Sequence, residues 1–169
     1  IRRPTEAAVT DVFVQTSWRN RELRLELEVD AAAATRCEAQ ARIRDRDGNI
    51  ALQLPAQPLS LAAGRQSHTL RAPWVNPILW EPDGGYVYTA EIELIAEGKI
   101  IDRAKPVVFG FREVWTEGRR MILNGRELRL RDDLAGLLDV DAVVGVDRHL
   151  RQLLGGRRGD LLDVHATRD

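Results

Sequence analysis

The residues able to do chemistry in this sequence are few and widely spaced. Glu26 with Glu28, and Glu91 with Glu93, stand two apart, so on a strand each pair shares one face. Two such carboxylates could serve as general acid and base only if burial raised a pKa. They alternate with Leu25, Leu27, Ile92 and Leu94, which places the carboxylates on the solvated side. His68, His149 and His165 show no His-x-x-x-His spacing and no companion carboxylates, so no metal site is expected. Cys37 is the single cysteine, which excludes an internal disulfide and a cysteine-based zinc site. Its alternating surroundings make it a small buried apolar residue. No catalytic, cofactor-binding or metal-ligating residue is assigned, and no cofactor is expected.

Trp74, Trp80 and Trp115 could stack on a sugar ring, which makes carbohydrate a candidate partner. The competing reading is that tryptophans in a proline-rich loop staple it to a neighbouring surface. Arg158-Gly159-Asp160 spells an adhesion tripeptide, but it falls where the chain must turn. Arg148, Arg151, Arg157 and Arg158 are offset by Asp147 and Asp160 and carry no interleaved aromatics. They read as a solvated helix face rather than a nucleic-acid site.

The elements that must position these residues follow from periodicity. Leu23, Leu25, Leu27 and Val29 alternate with Arg24, Glu26 and Glu28, and Cys37, Ala39, Ala41 and Ile43 repeat the pattern. Both runs read as strands with one wet face. Asp47-Gly48-Asn49 is a turn before a return strand through Ile50, Leu52 and Leu54. His68 to Arg71 reads as a short strand, Tyr86 to Leu94 as a long one turned at Glu97-Gly98, and Ile100 to Phe111 as its partner. With Val9 to Gln15 this makes about seven strands, and the spacing predicts an all-β antiparallel sandwich of immunoglobulin-like type. Pro73 to Pro82 cannot be a central strand, because its prolines lack ladder donors. It reads as an ordered crossing loop pinned by Trp74 and Trp80.

The period then changes. Val114 to Arg119 and Met121 to Leu130 read as two short strands, with Asn124-Gly125 as a tight turn. Apolar residues from Val140 to Leu154 recur every three or four positions, an amphipathic helix stopped by Gly155-Gly156. Leu161 to His165 reads as a buried strand. The organisation expected is a sandwich over 1–114 and a hairpin, helix and strand over 115–169, an α/β tail that cannot bury both its faces alone.

Length and composition agree with one full domain and a remainder: 169 residues, 44% apolar, 30% charged, net charge −1. That charge supplies no global field to recruit nucleic acid or an anionic membrane. No apolar stretch reaches the ~18–20 residues of a bilayer span. The chain is therefore expected to be soluble, with its compartment open. Ile1 to Pro4 is not a signal peptide, and the start without methionine suggests a processed or excised piece.

Three ordered stretches carry a family resemblance. They are Asn76-Pro77-Ile78-Leu79-Trp80-Glu81-Pro82-Asp83 with Tyr86-Val87-Tyr88-Thr89, then Phe109-Gly110-Phe111-Arg112-Glu113, then Leu123-Asn124-Gly125-Arg126 with Leu128 to Arg131. Residues 8 to 131 thus resemble the family 2 glycoside hydrolases, the group of β-galactosidases, β-glucuronidases and β-mannosidases. The resemblance implies an immunoglobulin-like domain that leaves through Phe-Gly-Phe-Arg-Glu into a (β/α)8 barrel. It also implies β-linked glycosides as substrates. Leu161-Leu162-Asp163-Val164-His165-Ala166 is similar to a barrel strand of some members, with Asp163 where they carry arginine and Asp132 where they carry glycine. Through it, Arg131 and His165 become possible substrate-side residues, and Trp80, Phe109, Phe111 and Arg112 candidates for a domain interface.

Glycoside hydrolysis with retention needs two carboxyl groups about 5–5.5 Å apart. The family supplies them as glutamates on later barrel strands, and the last glutamate here is Glu127, in the hairpin. The expected role is therefore a non-catalytic scaffold that braces a catalytic barrel, in the same or a separate chain. Self-association is the alternative cover for the tail. The alternative function is an autonomous module binding glycan or protein, and a third reading is a small enzyme with an unrecognised site.

Overall fold

The computed structural model describes residues 6–128. The expectations for the helix through 140–154, the strand 161–165, the arginine cluster, Arg131, His149 and His165 all lie outside the described residues.

Within them the chain forms strands only: β1 (Ala7–Ser17), β2 (Glu22–Ala31), β3 (Thr35–Arg44), β4 (Ile50–Leu61), β5 (Gly64–Pro73), β6 (Tyr88–Ala96), β7 (Lys99–Arg103), β8 (Val107–Phe109), β9 (Val114–Glu117), β10 (Arg120–Leu123) and β11 (Arg126–Leu128). One sheet has the order β1-β2-β5 and a second the order β4-β3-β6-β7, with β8 also on β6; a third is β11-β10-β9. Each pairing is antiparallel.

Alternation explains the two larger sheets. Leu23, Leu25, Leu27 and Val29 of β2 are fully buried, as are Ala39, Ala41 and Ile43 of β3 and Ala90 and Leu94 of β6. They belong to one continuous cluster that also takes Leu54, Leu70, Phe109 and Phe111. Two antiparallel sheets closing on one core is the layering of a β-sandwich. Each fully buried leucine contributes about 1.5–3 kcal/mol of transfer free energy. A register shift in β1 between Val9 and Asp11 accompanies a polar tie between the sheets: the Val9 N–H donates to Asp102 Oδ2 of β7 at 2.8 Å.

Three elements differ from expectation. The single strand anticipated over Ile100 to Phe111 is split into β7 and β8 around Ala104 to Pro106, where proline removes a ladder donor. β5 runs well beyond His68 to Arg71, because it pairs with β2 from Gly64 to Pro73, and its largely exposed first residues carry no apolar alternation to mark them. The two strands anticipated after Phe111 are three, since the Asn124-Gly125 turn divides Met121 to Leu130 into β10 and β11, while Gly118 (φ 61°) turns β9 into β10. The crossing loop, residues 74–87, has no strand, and both of its tryptophans are buried.

Candidate functional site

The residues of the three ordered motifs converge where the sandwich meets the β9–β11 hairpin sheet. Gly110 lies flat against the Trp80 side chain: a Cβ there would stand 2.7 Å from indole Cδ1 and Cγ. Glycine is required because a side chain, rather than a second backbone, fills that space. The Trp80 N–H donates to the Phe111 carbonyl at 3.0 Å, and the Arg112 guanidinium lies 4.7 Å above the indole centroid, within cation–π range. Trp80 packs with Leu123 and Leu128 of the hairpin.

Asn124 is the hub of this junction. Its Nδ2 donates to the Trp80 carbonyl at 3.0 Å and its Oδ1 accepts the Glu113 N–H at 2.8 Å. Its own N–H donates to the Glu113 carbonyl at 3.0 Å. It does this while buried and at φ 49°, a left-handed conformation that asparagine tolerates better than most residues. The end of β1 grips the same exit segment. Thr16 Oγ1 accepts the Arg112 N–H at 3.1 Å, and the Glu113 carboxylate accepts from Ser17 Oγ at 3.2 Å, the Arg19 N–H at 3.0 Å and Arg19 Nε at 2.7 Å. Burial pushes the Glu113 carboxyl up, but the Arg19 hydrogen bonds and charge outweigh it and hold it below the usual range.

Beside the junction is a cleft of about 410 Å³ lined by Trp18, Arg19, Arg21, Trp74, Val75, Asn76, Pro77, Leu79 and Phe111. The β1–β2 turn forms one wall and the crossing loop the other. They are joined where the Trp74 N–H donates to the Arg21 carbonyl at 2.7 Å. Trp74 is held edge-on by Tyr88 and Phe111, at 4.7 and 5.4 Å between centroids. Trp18 stacks on Trp115 at 6.1 Å yet stays 40% exposed.

The paired carboxylates behave differently from one another. Glu26 binds Arg24 at 2.8 Å and Glu91 binds Arg44 at 2.9 Å, both partly exposed. Glu93 corrects the expectation of a solvated face, because it is only 8% exposed. It accepts from Gln40 at 2.8 Å, Arg103 at 2.9 Å and Arg42 at 3.1 Å. Alternation puts it on the outer face of β6, but residues from β3 and β7 on either side close over it. The Gln40 and Arg103 hydrogen bonds hold its carboxyl below the usual range. That is the opposite of what a general acid needs.

The model of the Glycosyl hydrolases family 2 matches residues 7–112, more than half of the chain. The chain belongs to glycosyl hydrolase family 2. Its fold is similar to that of a family 2 member from Bacteroides cellulosilyticus (TM-score 0.67, 19% identity, covering 74% of this chain and 18% of that one). It is also similar to a β-D-mannosidase from Dictyoglomus thermophilum (0.62, 20%, covering 73% and 16%) and to a β-glucuronidase from Bacteroides uniformis (0.59, 24%, covering 75% and 17%). The family 2 chain therefore spans less than a fifth of the length of each of these proteins, and at such identities the likeness is one of fold.

The structure brings Trp80 and Arg112 together at the family 2 junction. Phe109 and Phe111, also anticipated at an interface, are only 5% and 1% exposed. They belong to the sandwich core, with Phe111 also at the wall of the cleft. His68 lies on β5 beside Leu27 with its Nε2 buried and unpaired. No group of three or more His, Cys, Asp or Glu side chains among the described residues could hold a metal. No described helix is long and apolar enough to cross a membrane. Sequence reading missed Trp18, Arg19 and Arg21. They form a turn between two alternating runs, and only the positive φ of Arg21 (52°) marks them as unusual.

Proposed function

We propose that this chain is a non-catalytic, immunoglobulin-like sandwich domain of a family 2 glycoside hydrolase acting on β-linked glycosides, and that it braces the catalytic barrel. The strand orders support the immunoglobulin-like reading: β2 lies between β1 and β5 in one sheet, and β3, β6 and β7 are successive neighbours in the other. β4 sits beside β3 rather than in the first sheet, a departure from the constant-type arrangement. The proposed boundary falls at 114/115, where the exit segment enters the hairpin sheet, and Arg131 and His165 would belong to the barrel side.

The observation that carries this reading is the riveted exit. Trp80, Gly110, Arg112 and Asn124 tie the crossing loop, the last sandwich strand and the hairpin into one unit. A rigid link of this kind transmits the position of one domain to the next. The buried Glu93 and the partly buried Glu113 are committed to arginines and ionise readily, and the buried Asp102 accepts the Val9 N–H, so they suit structure rather than proton transfer. The test is Asn124→Ala in the hydrolase that carries this chain. A bracing role lowers thermal stability of the whole enzyme with KM for an aryl β-glycoside unchanged. A raised KM at unchanged stability would mean the junction contacts substrate instead.

A further inference from the structure

We propose that the cleft between the Trp18–Arg21 turn and the 74–79 loop is a binding site for a carboxylate-bearing sugar ring, such as a hexuronic acid unit of a glycan. This site goes beyond the bracing role and does not depend on it.

The cleft has the two chemistries such a ring needs. Its walls are apolar: Trp18, Trp74, Pro77, Leu79 and Phe111, and the open indole of Trp18 suits the C–H face of a pyranose. Its free polar groups include donors. Among the described residues, the Arg21 guanidinium makes no ion pair, and the Trp74 indole N–H and Asn76 amide have no hydrogen-bond partner. Guanidinium and indole N–H groups only donate, so they require acceptors, and guanidinium best matches a carboxylate. Arg19 is already neutralised by Glu113, and Glu22 is paired with Arg71. Arg21 therefore leaves one uncompensated positive charge at the cleft.

Backbone geometry points the same way. Arg21 occupies φ 52°, a position that favours glycine or asparagine. Its carbonyl is fixed by the Trp74 N–H at 2.7 Å. The turn thus sets the Arg21 backbone against Trp74 at the wall of the cleft, and local backbone strain of this kind clusters at ligand sites. The volume of about 410 Å³ lies within the ~300–1,000 Å³ of small-molecule pockets.

The test uses the full 169-residue chain and follows the Trp74 indole N–H by NMR during titration. The ligands are a glucuronate-containing disaccharide, the matching neutral glucose disaccharide, and sodium acetate. The proposal expects saturable shifts with the acidic disaccharide, and binding about tenfold or more weaker for the neutral sugar and for acetate. Arg21→Asn suits the left-handed backbone and should keep the fold while weakening acidic-sugar binding about tenfold. Trp18→Ala should weaken it too, and Arg65→Ala, on exposed β5, should not. Equal binding of acidic and neutral sugars, equal binding of acetate, no saturation, or an Arg21→Asn variant that binds as the parent does would each overturn the proposal.

Discussion

Replacing Gly110 by alanine tests the junction at its tightest point. The new methyl would meet Trp80 Cδ1 and Cγ at 2.7 Å and Cβ at 2.8 Å, against an ordinary van der Waals approach of 3.4–4 Å. The indole would have to retreat by the difference, 3.4 − 2.7, or about 0.7 Å. Its freedom to do so is small. The backbone of Trp80 is bonded to Phe111 and to Asn124, Arg112 covers the ring, and Leu123 and Leu128 pack against it. Forcing a methylene-sized group into a packed site costs about 1–3 kcal/mol. Gly110 has no positive φ, so alanine incurs no backbone strain and regains about 0.4–1 kcal/mol from the unfolded chain. Because the methyl meets three atoms of a braced side chain, the upper half of that cost applies, about 2–3 kcal/mol, and the net expectation is a loss of about 1–2.6 kcal/mol. For a domain of this size that lowers the melting point by roughly 4–10 °C. Urea unfolding followed by tryptophan fluorescence measures it, and Gly110→Ala combined with Trp80→Leu should recover part of the loss as a coupling energy. A Gly110→Ala variant within about 0.3 kcal/mol of the parent, the limit at which independent sites add, would refute the packing argument.

Other consequences are as direct. Asn124→Ala removes two side-chain hydrogen bonds and strains a residue at φ 49°; denaturant melts should register a loss of about 2–4 kcal/mol. Glu93 and Glu113 have lowered pKa values in the folded chain, so the stability they contribute is present above the ordinary glutamate value. It is lost as pH falls from about 4.3 through their folded values. Thermal melts between pH 7 and 2 should show that acid loss, and Glu93→Gln should flatten it; an unchanged slope would contradict the Gln40 and Arg103 hydrogen bonds as its cause. Asp102→Ala deprives the Val9 N–H of its acceptor and should speed hydrogen exchange at Val9, with little change at Leu25 in the middle of β2.

How much of this was legible in the sequence varied with how local the cause is. Leu23 to Val29 and Cys37 to Ile43 declare their inward faces by alternation alone, and all of those positions are buried. The Asn124-Gly125 turn was equally readable, because left-handed residues are a local demand. That Asn124 also holds Trp80, 44 residues away, was not readable, since nothing in a turn motif specifies a distant partner. Glu93 failed for a related reason. Alternation says which way a side chain points, but not whether Gln40, Arg42 and Arg103 from neighbouring strands will close over it. The cleft was invisible because it joins the turn at residues 18–21 to the loop at 74–79, and neither segment carries a motif for it. The family motifs did mark the right neighbourhood: the glycine of Phe109-Gly110-Phe111 is needed for Trp80, and its two phenylalanines belong to the core.

In the proposed bracing domain the carboxylates hold structure together and do not cleave sugars. The direct measurement is release of nitrophenol from aryl β-galactoside, β-glucuronide and β-mannoside by the purified chain. Turnover no faster than the uncatalysed background is the predicted result. Hydrolysis above background that disappears in Glu93→Gln or Glu113→Gln, with the fold intact, would contradict it.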